Sequence, residues 1–127
     1  MNSILISFAA IAALIHFFFF VLESILWVRP MARKIFRLSE ADAETTKLLA
    51  FNQGFYNLFL TAAVMIGLVG GEPTKILIDY AMASMIGAGL VLFFSKKNML
   101  RGALIQAGFP ILYFVCGFFL AHPPYLK

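Results

Sequence analysis

The chain has 127 residues, of which 62% are hydrophobic, 16% aromatic and 13% charged, and its formal net charge is +4. A soluble domain is about 45–50% apolar and about 25% charged, so the charges here are too few to cover a water-soluble surface; the same shortage excludes a disordered chain. Cys116 stands alone, which rules out an internal disulfide, and no Cys/His cluster has metal-site spacing.

Spanning a hydrocarbon core takes about 20 apolar residues in a helix. Residues 4–28 form the first such run, uncharged except for Glu23. It lacks the basic n-region and small-residue cleavage site of a signal peptide, and it reads as a retained helix. The first loop, Arg29 to Lys47, is the longest connection. Pro30 is expected to end the straight part of the first helix. Ser39 with Asp42 three residues on has the form of a capping box, so the second helix is expected to begin near Glu40 and to project beyond the membrane. Arg33, Lys34 and Arg37 interleave with Met31, Ile35, Phe36 and Leu38, the pattern of a segment lying on an anionic lipid surface or of an ordinary anchoring loop.

The second run, residues 48–71, carries no charge; Glu72 and Pro73 follow Gly70 and Gly71 in a turn. The third run, 76–95, has Asp79 near its start, and Lys96, Lys97 and Asn98 form the next turn. The fourth, 102–121, is again uncharged. Four spans with short connections predict an all-α, single-domain (1–127) integral membrane protein, an up-down four-helix bundle. Eight of the ten Lys and Arg residues lie in or beside the first and third connections, with Lys75 and Lys127 on the other side. By the positive-inside rule both termini lie outside a plasma (inner) membrane, with the basic loops in the cytoplasm.

Ionisable residues within a span are expensive and are read first as functional candidates. Glu23, the group Asn52, Gln53, Tyr56 and Asn57, and Gln106 all fall toward the basic side of their helices; His16 and Tyr113 fall near the midplane. His16 and Glu23 are seven apart, as are Gln106 and Tyr113, so each pair shares a helix face. Pro110 leaves the carbonyl of Gln106 without its helical donor. These residues are expected to line a polar cavity open to the cytoplasm, with His16 and Tyr113 as its floor and Phe20 and Trp27 beside Glu23. Trp27 otherwise reads as an interfacial belt residue, and Asp79 as a solvated residue near the outer surface, close to Lys75. Each polar side chain also has a structural alternative, a hydrogen bond between helices, and for Glu23 an ion pair with Arg29 or Lys97. Ala83/Gly87, Ser84/Ala88 and Ala103/Ala107 have the small-xxx-small spacing of close helix contacts.

The stretches His16-Phe17-Phe18-Phe19-Phe20-Val21-Leu22-Glu23 with Trp27, and Asn52-Gln53-Gly54-Phe55-Tyr56-Asn57, resemble a family of small bacterial four-helix integral membrane proteins known mainly as a domain of unknown function. The resemblance covers nearly the whole chain and implies no activity. A looser similarity links the chain to the membrane-associated eicosanoid and glutathione metabolism superfamily, whose helix-two Asn would correspond to Asn52. Ala50 and Phe55 or Tyr56 stand near the places where that superfamily carries basic and acidic residues. Glu23 is similar in chemistry to the membrane carboxylate of small multidrug-resistance transporters.

The function expected is binding of a small lipophilic or amphipathic molecule in the polar cavity. The alternatives are proton-coupled transport through Glu23, a membrane enzyme of the glutathione-metabolism type, and a structural subunit. No catalytic residue and no metal ligand is assigned, and the cofactor is unknown. The expected partners are membrane lipids, the small ligand and a second copy of the chain, with no nucleic acid.

Overall fold

The computed structural model describes residues 1–95 and 100–122. The turn containing Lys96, Lys97 and Asn98, and Lys127, therefore lie outside the described residues. The helices are α1 (Ser3–Phe20), α2 (Pro30–Phe36), α3 (Glu40–Gly70), α4 (Lys75–Ser95) and α5 (Leu100–Ala121), with a π-helical turn over Val21–Ile25 and a 3₁₀ turn over Glu72–Thr74. With the π turn counted in the first and the 3₁₀ turn in the third, four helices are long and apolar enough to cross a membrane, so the protein is multi-pass by length and hydropathy.

Helix ends follow local chemistry. Asn2 caps α1, its Oδ1 accepting from the Ile4 N–H at 2.9 Å. Ser39 caps α3 as its sequence predicts: its Oγ accepts from the Asp42 N–H at 3.0 Å and donates to Asp42 Oδ2 at 2.7 Å. The 31 residues of α3 extend about 46 Å, so α3 outruns the about 30 Å hydrocarbon core and projects past it. Gly71, with φ of 70°, supplies the left-handed residue that turns the chain out of α3. Pro30 opens α2 at its first turn.

The first helix stops sooner than its apolar run suggests. Its α-helical part ends at Phe20 and the π turn at Ile25, so residues 26–28, expected within the span, lie in the turn toward α2. Residues 26–46 form a folded connection. Trp27 rests on Phe36 with ring centres 4.9 Å apart, and its Nε1 donates to Thr46 Oγ1 at 3.1 Å. Arg33 pairs with Glu40 at 2.9 Å, and Ala32 and Ala43 are fully buried. Trp27 thus fastens α2 to α3, a role its sequence position at the interface does not reveal. Arg37 ends α2 with φ of 56°, a left-handed conformation that costs a non-glycine residue about 1 kcal/mol. Arg37→Gly is expected to raise stability by about that amount in detergent unfolding.

The long helices form a ring in which α1 packs on α3 and α5, and α4 also packs on α3 and α5. The core is narrow and built largely from small residues: Ala9, Ala12 and Ala13 of α1 meet Val64, Ile78, Ala81, Met82 and Met85. Ala103 and Ala107 lie against Gly89, where an added Cβ would stand 2.8 Å from that of Ala107. Of the small-residue pairs read from sequence this one makes a close helix contact, whereas Ala83 and Gly87 are exposed. Large apolar side chains such as Leu14, Val69 and Phe94 point outward, the surface expected of a bundle solvated by lipid.

Candidate functional site

The site begins with a backbone irregularity. The Leu26 N–H donates to the Val21 carbonyl five residues back, at 3.0 Å, and Glu23 occupies the widened turn. A π turn inserts a residue into the helical ladder and so rotates the residues beyond it; such turns concentrate at functional positions. Ser24 Oγ donates to the Phe51 carbonyl on α3 at 2.9 Å. Gly54, one turn further along α3, has no side chain to hold the backbones apart, and a Cβ there would overlap Ser24 Oγ.

This close crossing brings Glu23 to Asn57. Asn57 Nδ2 donates to Glu23 Oε2 at 2.7 Å and also, at 3.3 Å, to the Gln53 carbonyl on its own helix. Asn57 is buried and Glu23 half-buried. Among the described residues Glu23 has no ion pair: Arg29 does not reach it, and Lys97 lies outside those residues. Further along, Thr61 Oγ1 bridges its own helix and α1, donating to the carbonyls of Asn57 (3.0 Å) and Ala13 (3.2 Å).

His16 is fully buried. Its Nδ1 donates to the Ala12 carbonyl at 2.9 Å, its ring meets Phe19 edge-on at 5.8 Å, and its Nε2 has no hydrogen-bond partner among the described residues. Buried polar atoms are nearly always paired, so Nε2 is an unspent hydrogen-bonding site inside the bundle.

The other expected residues do not all converge. Asn52, Gln53 and Tyr56 are exposed, and Gln106 is half-buried with no side-chain hydrogen bond among the described residues. Pro110 is buried within α5, which continues through it as a helix. Tyr113 belongs elsewhere. Rather than forming a floor with His16, its hydroxyl donates to Asp79 Oδ1 at 2.7 Å. Asp79 also takes two hydrogen bonds from Lys75 Nζ, at 2.6 and 2.8 Å, and the Met1 amine pairs with Glu72 at 3.0 Å. These charges form a second polar cluster at the end of the bundle that holds the N-terminus. Asp79 lies beside Lys75 as expected but is not simply solvated: it is half-buried, paired to Lys75 and hydrogen-bonded by a buried tyrosine.

A groove of about 510 Å³ opens between α1 and α5. It is lined by Ile15, Leu100, Arg101, Leu104, Ile105, Gly108, Phe109 and Leu112, and so by none of the polar candidates. The polar pair Glu23–Asn57 and this apolar groove are thus separate features, where the sequence suggests one cavity.

Comparison with curated proteins and with solved structures finds no match to this chain. Residues 10–118 match the model of the family described as protein of unknown function (DUF1304). That match takes in His16, Glu23, Asn57, Asp79 and Tyr113 and all four long helices for most of their length, and the chain belongs to the DUF1304 family.

Proposed function

We propose that the protein binds a small amphipathic molecule toward its basic end, with Glu23 and Asn57 holding the polar head of the ligand. The observation that carries this reading is a carboxylate set in a π turn of a membrane-spanning segment, fixed by a buried amide at 2.7 Å and without a cation among the described residues. Such a carboxylate is costly in an apolar setting unless it meets a donor or a positive charge. The matching head group is therefore cationic or rich in hydrogen-bond donors. The Nε2 of His16, deeper on α1, offers a further polar contact. With the basic connections in the cytoplasm and the termini outside, the site faces the cytoplasm of a plasma (inner) membrane.

Proton-coupled exchange at Glu23 is the competing reading. Ala9, Ala13, Val64, Met82 and Met85 fill the bundle interior and are all buried, which favours binding over passage across the membrane.

Glu23→Gln tests the proposal. The variant keeps an acceptor for the Asn57 amide and so keeps the fold, but it loses the charge. A hydrogen bond to a charged group is worth about 1.5–3 kcal/mol, so retention of a co-purified small molecule should fall by about tenfold or more in native mass spectrometry. Asn57→Leu should lose the same species. A protein that carries no reproducible small molecule, or a Glu23→Gln variant that holds it as tightly as the parent, would refute the proposal.

A further inference from the structure

We infer that the α1–α5 groove seats one acyl chain of an anionic phospholipid, with Arg101 holding the phosphate. The α5 face that lines it runs from Arg101 through Leu104, Ile105 and Gly108 to Leu112. From Arg101 to Leu112 the helix rises about 16 Å, half of the about 30 Å hydrocarbon core and so the depth of one leaflet. A lipid whose phosphate lies beside Arg101 would thus lay its chain along the groove.

Two observations separate this groove from ordinary lipid contact. Gly108 leaves its middle open: a Cβ built there meets nothing within 4 Å. Gly89, by contrast, is pressed against Ala107, so Gly108 does not serve helix packing. The lining is almost wholly apolar, and it ends at Arg101, which is exposed at the start of α5 with no ion pair among the described residues; a guanidinium is a fork of donors suited to a phosphate. Among the described residues the lining offers no other charge and no carboxylate, so complementarity selects an anionic head over a zwitterionic one. Neither Glu23 nor Asn57 lines the groove, so the lipid site stands or falls independently of the small-molecule site.

The test uses the full chain in nanodiscs of equal phosphatidylglycerol and phosphatidylcholine, released into a native mass spectrometer. The parent should retain one phosphatidylglycerol in preference to phosphatidylcholine. Arg101→Gln should reduce that preference about fivefold, the worth of about 1 kcal/mol for one basic residue at an anionic lipid surface. Gly108→Leu, whose Cβ enters open space, should lose retained lipid of both kinds while its unfolding midpoint does not fall below the parent value, since helix propensity favours the change. Equal retention of the two lipids by the parent, unchanged retention in Gly108→Leu, or a second protein chain covering the groove in place of lipid would each overturn the assignment.

Discussion

Replacing Gly54 by alanine is expected to cost about 2 kcal/mol, against the sign that helix propensity alone predicts. In an unconstrained helix, Gly→Ala gains about 1 kcal/mol. At Gly54 the new Cβ would overlap Ser24 Oγ and lie 3.0 Å from the Ser24 backbone nitrogen. The hydroxyl cannot swing aside freely, because it donates to the Phe51 carbonyl. The backbone nitrogen belongs to the π turn itself. Overpacking of this kind costs about 3 kcal/mol, which outweighs the propensity gain. Relief requires α1 and α3 to separate, and that movement carries Glu23 away from Asn57. Unfolding in detergent should therefore show the loss of stability together with weaker retention of any species held at Glu23. Ser24→Ala alone should cost about 1 kcal/mol for the missing hydrogen bond. Combined with Gly54→Ala it should recover part of the loss but not all, because the contacts to the Ser24 nitrogen and Cβ remain. An unchanged or raised midpoint for Gly54→Ala would show that the crossing is loose.

Hydropathy, charge and capping were sufficient to anticipate four spans, a second spanning helix beginning near Glu40 and the nearness of Asp79 to Lys75. Each depends on one segment and its immediate neighbours. What sequence spacing missed depends on where two helices meet. Nothing in Val21–Ile25 marks a π turn; the turn coincides with the crossing at Gly54, which only the packed pair displays. A constant helical period therefore overstates how well His16 and Glu23 share a face. Gln53 and Asn57 are four apart, but four residues turn a helix by about 400°, leaving Gln53 about 40° round from its neighbour. Asn57 is buried at the crossing and Gln53 is exposed. Tyr113 illustrates the same limit in depth. Counting along α5 from Arg101 places it near the midplane, but the count says nothing about Asp79, which α4 brings to the same level from the other end. Trp27 sits beside the span, as an interfacial residue should, yet its ring and its N–H are both committed to protein, to Phe36 and Thr46.

Asp79→Ala is expected to destabilise the bundle by about 2 kcal/mol, chiefly through Tyr113. The carboxylate accepts from both Tyr113 and Lys75, and the two donors differ in what they lose with it. Lys75 is partly exposed and can turn to water or lipid head groups, so its ion pair contributes at most about 1 kcal/mol. Tyr113 is only 3% exposed, and its hydroxyl would lose the strong acceptor at 2.7 Å and keep only the Met1 Sδ, a weak acceptor at 3.9 Å. An unsatisfied buried donor costs about 1–3 kcal/mol. Removing the donor as well should lessen the damage: Tyr113→Phe should cost about 1 kcal/mol alone, and Asp79→Ala combined with Tyr113→Phe should cost less than the sum of the two. Asp79→Asn keeps an acceptor oxygen for Tyr113 and loses only the charge, so it should lie between the parent and Asp79→Ala. High salt distinguishes the two donors. It screens the Lys75 ion pair and should shrink the difference between the parent and Asp79→Asn, while the larger step to Asp79→Ala persists. Chemical unfolding of the parent and these variants in detergent at low and high salt measures both effects. Strict additivity of Asp79→Ala and Tyr113→Phe would show that the hydrogen bond between them carries no stability.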